Sequence, residues 1–170
     1  IRPDSPTIHF PVGLGSIMSY FEQVGYDFDL LDIDLHSYND DYVENYLSNN
    51  EYDIILFGCI VTHYKWVKWV CKVIKSYFPK TKIIVGNSVA GSIPEVFLKN
   101  TPADFAVIGE GEITALEIVD NLYKGLDTGN IEGIAYLKNG EFIKNPRRKA
   151  CKVDDLPMIN WDLFEVEKYF

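Results

Sequence analysis

Small and polar residues gather in five short runs of this 170-residue chain, and those runs hold most of what could do chemistry. They are the stretch 2–12, with His9; Asp32-Ile33-Asp34-Leu35-His36; Gly58-Cys59-Ile60-Val61-Thr62-His63; Val85-Gly86-Asn87-Ser88-Val89-Ala90-Gly91; and Gly109-Glu110-Gly111-Glu112. Glycine lets a backbone approach a ligand closely and adopt positive φ. In Gly109-Glu110-Gly111-Glu112-Ile113-Thr114, N–H groups and a helix dipole could hold an anionic or carbonyl-like group. The plainer alternative is a tight strand-to-helix turn in which Glu112 complements the dipole. No Ser-His-Asp order, HExxH or spaced carboxylate pair stands out, so nothing amounts to a self-sufficient active site. Cys59, Cys71 and Cys151 are an odd count without a CxxC pair. They support neither a disulfide framework nor a zinc knuckle and read as free thiols of a cytoplasmic protein.

The runs fall between elements that must position them. Four apolar, β-branched segments read as strands: Asp27–Ile33, Tyr52–Cys59, Lys82–Val85 and Asp104–Ile108. Their near-continuous hydrophobicity suggests burial on both faces, as in a parallel sheet covered by helices. Helical spacing of apolar residues marks Gly13–Val24, Asp40–Leu47, Tyr64–Phe78 and Glu112–Tyr123, and Pro94 opens a short helix to Leu98. Lys65, Lys68, Lys72 and Lys75 line one face of the third helix, which reads as a solvated outer face rather than a phosphate site. Ile131–Leu137 and Glu141–Lys144 flank Asn139-Gly140, a strong hairpin signal because a type I′ turn needs positive φ twice.

Strands alternating with helices predict a doubly wound α/β sheet, with ligands at the strands' carboxyl ends. The first helix has no convincing strand before it. Ile1 and Arg2 resemble the last residues of one whose body lies upstream. That first strand should be central, so its neighbours would expose unpaired backbone groups, and self-association is expected.

The residue balance narrows the partners. Sixteen basic against twenty-five acidic residues give a net charge of −9, a field that repels nucleic acid and anionic membranes. No apolar run reaches the ~20 residues of a membrane span. The basic stretch Asn145–Lys152 therefore reads as a linker, with residues 1–146 as the domain and 147–170 leading out of it. Gly13-Leu14-Gly15-Ser16-Ile17-Met18, followed by Asp32 and Asp34, is an incomplete dinucleotide fingerprint. It keeps a dinucleotide-binding module as an alternative.

The order of segments resembles the N-terminal B12-binding domain of cobalamin-dependent radical SAM proteins. Phe10-Pro11-Val12-Gly13-Leu14-Gly15 is similar to that family's PPLGL approach to the first helix. Val24-Gly25-Tyr26 through Asp32, Tyr52-Asp53 through Gly58, and Tyr77-Phe78-Pro79 through Asn87 are similar to its next stretches. Pro102-Ala103-Asp104 through Gly109-Glu110-Gly111-Glu112 resembles its GEGE motif. Ile131–Tyr136 looks like its hairpin, and Asp155-Leu156-Pro157 with Trp161-Asp162 like its linker to a catalytic barrel.

The resemblance implies a flavodoxin-like sheet with a C-terminal hairpin and linker. It implies cobalamin held by His9, Cys59, Val61, Thr62, Gly86, Asn87, Ser88, Gly109, Glu110 and Gly111. It also implies a partner radical SAM domain carrying a [4Fe-4S] cluster and S-adenosylmethionine, with methyl transfer as one reaction. Asn87 replaces the second glycine of the family's usual pair. The family's CxxxCxxC is missing. His36 lies in a DxHxxN run rather than DxHxxG, so axial histidine ligation of cobalt is not expected. A cofactor-free interaction domain with the same fold is the other reading.

Overall fold

The computed structural model describes residues 10–169. Ile1, Arg2 and His9 lie outside them. The strands are β1 (Ile54–Gly58), β2 (Lys82–Gly86), β3 (Phe105–Val107), β4 (Ile134–Lys138) and β5 (Glu141–Lys144). They lie side by side in chain order, β1 to β3 parallel and β3 to β5 antiparallel. The helices are α1 (Val12–Val24), α2 (Asp40–Asn49), α3 (Tyr64–Tyr77), α4 (Asn87–Ser92), α5 (Pro94–Asn100) and α6 (Glu112–Tyr123).

Alternation along the strands divides the core in two. Ile83, Val85 and Ala106 point to a cluster built with Val43, Leu47, Val67, Val70 and Phe97 of α2, α3 and α5. Ile84, Phe105 and Val107 point to the other face, against Phe21 of α1 and Ala115, Ile118 and Val119 of α6. The period of two in a strand produces this division, and helices on both faces explain the unbroken apolar runs. The fold is the expected doubly wound α/β sheet. Asn139 (φ 52°) and Gly140 (φ 83°) turn the expected hairpin.

Three expectations about elements need correction. Asp27–Ile33 forms no strand among the described residues. Its side chains still pack, Phe28 on the α1/α6 cluster, beside Tyr26 just before it, and Ile33 on the opposite one. The hydrophobic pattern reported burial, but a strand also needs a ladder partner. Second, the run after β2 is the short helix α4, not a loop. Third, Lys75 does not belong to a solvated face. Its ammonium meets Asp104 at 2.7 Å and the Thr81 carbonyl at 2.6 Å.

β1 is paired on one side only among the described residues, and Ile54–Phe57 are half-buried. The expectation of self-association rests on that open row of N–H and C=O groups.

The chain beyond β5 stays against the domain. Asn145 Nδ2 donates to the carbonyls of Gly129 and Ile131, and Gly133 N–H donates to Pro146. Farther on, Asn160 N–H donates to Ser19 Oγ, and Glu165 meets His36 Nε2 at 2.7 Å. Phe10 packs among Trp161, Phe164 and Tyr169.

Asp104 ties α3 to the sheet. Its carboxylate accepts from Lys75, Lys82 and the Ile83 N–H, and its side chain is only 18% exposed. Removing it strands a mostly buried ammonium and a buried N–H. Asp104→Ala should therefore lower unfolding free energy by about 2–3 kcal/mol in urea melts, whereas an exposed Lys99→Ala change should cost about 0–1 kcal/mol.

Candidate cofactor site

Parallel pairing brings the ends of β1, β2 and β3 to one edge. Gly58 is opposite Gly86, and the ladder continues past both as Cys59 N–H donates to the Gly86 carbonyl at 3.0 Å. Val89 N–H then donates back to the Cys59 carbonyl at 3.0 Å, seating the first turn of α4 beside β1. An open cavity of about 370 Å³ lies beyond this edge. Asn87, Ser88, Gly91, Ser92, Ile108, Gly109 and Arg147 line it. Its volume falls within the roughly 300–1,000 Å³ of small-molecule pockets.

The backbone at its rim is unusual in two places. Asn87 has φ 70°, a left-handed conformation that asparagine tolerates better than most residues. Its Oδ1 accepts from Ser88 N–H at 2.6 Å. Gly109 has φ 92°, and a Cβ there would stand 3.4 Å from Arg147 Nε. A side chain at 109 would be strained, and its Cβ would lie in contact with the guanidinium.

The expected site residues do not behave alike. Asn87, Ser88 and Gly109 meet at this cavity. Gly86 ends β2 immediately before Asn87 and is not itself part of the lining. Val61 (78% exposed) and Thr62 sit on an exposed turn after β1, on the same edge but outside the cavity lining. Glu110 lines a smaller neighbouring cleft with Ile113, Arg147 and Cys151, and its carboxylate accepts from the Cys151 N–H at 3.0 Å. Gly111 serves packing, since a Cβ there would stand 3.1 Å from Ile17 Cδ1 of α1. Cys59 is fully buried within the core cluster on the α3 side, its backbone alone at the edge. Of His9 nothing is described.

Gly91, Ser92, Ile108 and Arg147 were missed from sequence. Gly91 closes the run singled out above and Ser92 lies just beyond it, and a run so poor in helix formers gives no sign of the helix that carries both to the cavity. Arg147 was absorbed into an exit linker.

Other candidates are occupied elsewhere. Gly13 and Gly15 lie inside α1, where Gly15 makes room for Ile159 and Phe164, so this run is not a phosphate loop. His36 is stacked on Tyr38 as well as paired with Glu165. No group of His, Cys, Asp or Glu that could hold a metal ion occurs among the described residues. None of the described helices is long and apolar enough to cross a membrane.

The family model of the B12 binding domain matches residues 4–119, and the chain belongs to that family. An uncharacterised methyltransferase of Pyrococcus horikoshii is 33% identical over 102 residues, 59% of this chain and 22% of that protein. The solved radical S-adenosylmethionine methyltransferase TsrM of Kitasatospora setae, with cobalamin and a [4Fe-4S] cluster bound, superposes with a TM-score of 0.74 at 14% identity. That match covers 92% of this chain and 29% of TsrM. The cobalamin-dependent S-adenosylmethionine radical enzyme OxsB, with aqua-cobalamin bound, gives 0.75 at 22% identity, over 85% of this chain and 21% of OxsB. At these identities the two structures establish the fold. The chain spans about a quarter of these relatives' lengths.

The thiols test the geometry. Desolvation pushes Cys59 up to about 11 and Cys71 up to about 12. Cys151 is raised too, by burial and then by the Glu110 carboxylate. A raised pKa leaves the thiolate scarce at pH 8, and the thiolate is what reacts. Iodoacetamide at pH 8 should leave Cys59 and Cys71 unmodified in the folded chain and label Cys151 slowly, faster after Glu110→Gln. Rapid labelling of Cys59 would contradict its inward placement.

Proposed function

We propose that this chain is the cobalamin-holding module of a larger cytoplasmic radical SAM enzyme and performs no catalysis alone. The observation that carries this reading is the convergence of Asn87, Ser88 and Gly109 on one open cavity, within the stretch matched by the B12-binding family. The residues fit the group. A corrinoid is broad and largely apolar, and the exposed Ile60 and Val61 offer it apolar ground at the same edge. Its polar nucleotide tail suits a cavity lined by an amide, two hydroxyls and a guanidinium.

The work of this chain is then binding and orientation. Gly86, Asn87, Ser88 and Gly109 would hold the tail. Val61 and Thr62 would meet the ring. The bound cofactor would supply a cobalt centre able to carry a methyl group. The [4Fe-4S] cluster and S-adenosylmethionine belong to a further domain of the parent, with methyl transfer as its reaction class. His36 is already held by Glu165 and Tyr38, so it would not be available as a ligand to a bound cobalt.

Titration with cobalamin should change the visible spectrum, and the corrinoid should co-elute with the chain on gel filtration. The reduced cob(II)alamin complex should show no nitrogen coupling from the protein in its paramagnetic resonance spectrum. Absence of both spectral change and co-elution would favour a cofactor-free interaction domain. A nitrogen coupling abolished by His9→Ala would overturn the ligation claim.

A further inference from the structure

Arg147 stands at the cavity with its charge uncommitted. It has no hydrogen-bond or ion-pair partner among the described residues, whereas its neighbour Arg148 is held by Glu117 and by Thr114 Oγ1. The backbone on both sides of Arg147 is nevertheless fixed. Asn145 N–H donates to Ile134, the Pro146 carbonyl accepts from Gly133, and Arg148 is anchored on α6. Its guanidinium lies over Gly109, where the missing side chain leaves room for it.

The surroundings select an anion. The lining beside Arg147 is Asn87, Ser88, Ser92 and backbone, with no carboxylate. The nearest acid in the adjoining cleft, Glu110, already accepts from Cys151. In a chain of net charge −9, a positioned cation without a carboxylate partner at a polar cavity is an exception to the general field. Guanidinium forks match phosphate oxygens with two parallel N–H···O bonds, and such charge-assisted bonds are stronger than neutral ones.

We infer that Arg147 grips the phosphodiester of the cobalamin nucleotide tail in this cavity, with Asn87 and Ser88 as neutral partners. The inference rests on the cobalamin reading above. It assigns a ligand-binding residue outside the stretch 4–119 that defines the family match.

Cobinamide, a corrinoid without the nucleotide and its phosphodiester, separates the two claims. The unaltered chain should bind cobalamin more tightly than cobinamide, by about ten- to hundredfold for one charged phosphate contact, in spectral titrations. Arg147→Gln should lose the phosphate's share of that preference, at least about tenfold in cobalamin affinity, while its cobinamide affinity stays the same. Arg147→Lys should restore part of it. Thermal melts of the three forms should nearly coincide, since Arg147 is exposed and makes no hydrogen bond or ion pair among the described residues.

Equal cobalamin affinity in the unaltered chain and Arg147→Gln would overturn the inference and leave the cobalamin reading standing. An equal loss for both corrinoids would also overturn it, as a loss of shape rather than of a phosphate contact. Binding of neither corrinoid by the unaltered chain would overturn the cobalamin reading and the inference with it. Inorganic phosphate that stabilises the unaltered chain but not Arg147→Gln, and persists beside bound cobalamin, would assign the cavity to free phosphate and contradict the inference.

Discussion

The parallel ladder from β1 through β3 is the constraint on which everything else depends. Parallel strands run their carboxyl ends to the same edge, so each following run emerges beside its neighbours. The register puts Gly58 opposite Gly86 and Val85 opposite Ala106. One consequence is chemical, since Asn87 and Ser88 after β2 meet Gly109 after β3 although a helix and a strand separate them in sequence. The other is structural. Each strand's alternate residues feed two separate cores, so α1 and α6 are fixed on one face and α2, α3 and α5 on the other.

The ladder also divides backbone from side chain at the site. Cys59 contributes N–H and C=O groups to the edge, bonded to Gly86 and Val89, while its thiol sits in the core. Gly111 makes room for Ile17 and so sets how closely α1 approaches α6. These residues shape the edge without facing a ligand. The polar contacts fall to Asn87, Ser88, Ser92 and Arg147. The last of these comes from the strap after β5, which the Asn145 amide locks to the carbonyls of residues 129 and 131.

Much of this was legible in the residues. The apolar stripe of Ile113, Leu116 and Val119 gives α6 its observed limits, and Asn139-Gly140 forces the hairpin because both residues take positive φ. What failed did so for physical reasons. Near-continuous hydrophobicity in Asp27–Ile33 reports which side chains are buried, not whether a partner strand completes a ladder. Asn87–Ser92 is poor in helix formers and is helical because tertiary contacts hold it, including Val89 N–H on Cys59. Lys75 reads as surface on a helical wheel, yet a lysine stem can reach across to a carboxylate on a neighbouring element. Arg147 and Gly109 are distant in sequence, and only the fold of the strap over α6 puts them in contact.

Hydrogen exchange with and without cobalamin tests the central claim most directly, that the ligand sits over the carboxyl edge of β1, β2 and β3. Amide exchange should slow on binding at residues 59–63, 86–92 and 108–111, while the hairpin tip at 138–141 and α2 keep their rates. Slowing confined to α2 or the hairpin, or no slowing under conditions where the corrinoid co-elutes with the chain, would contradict it.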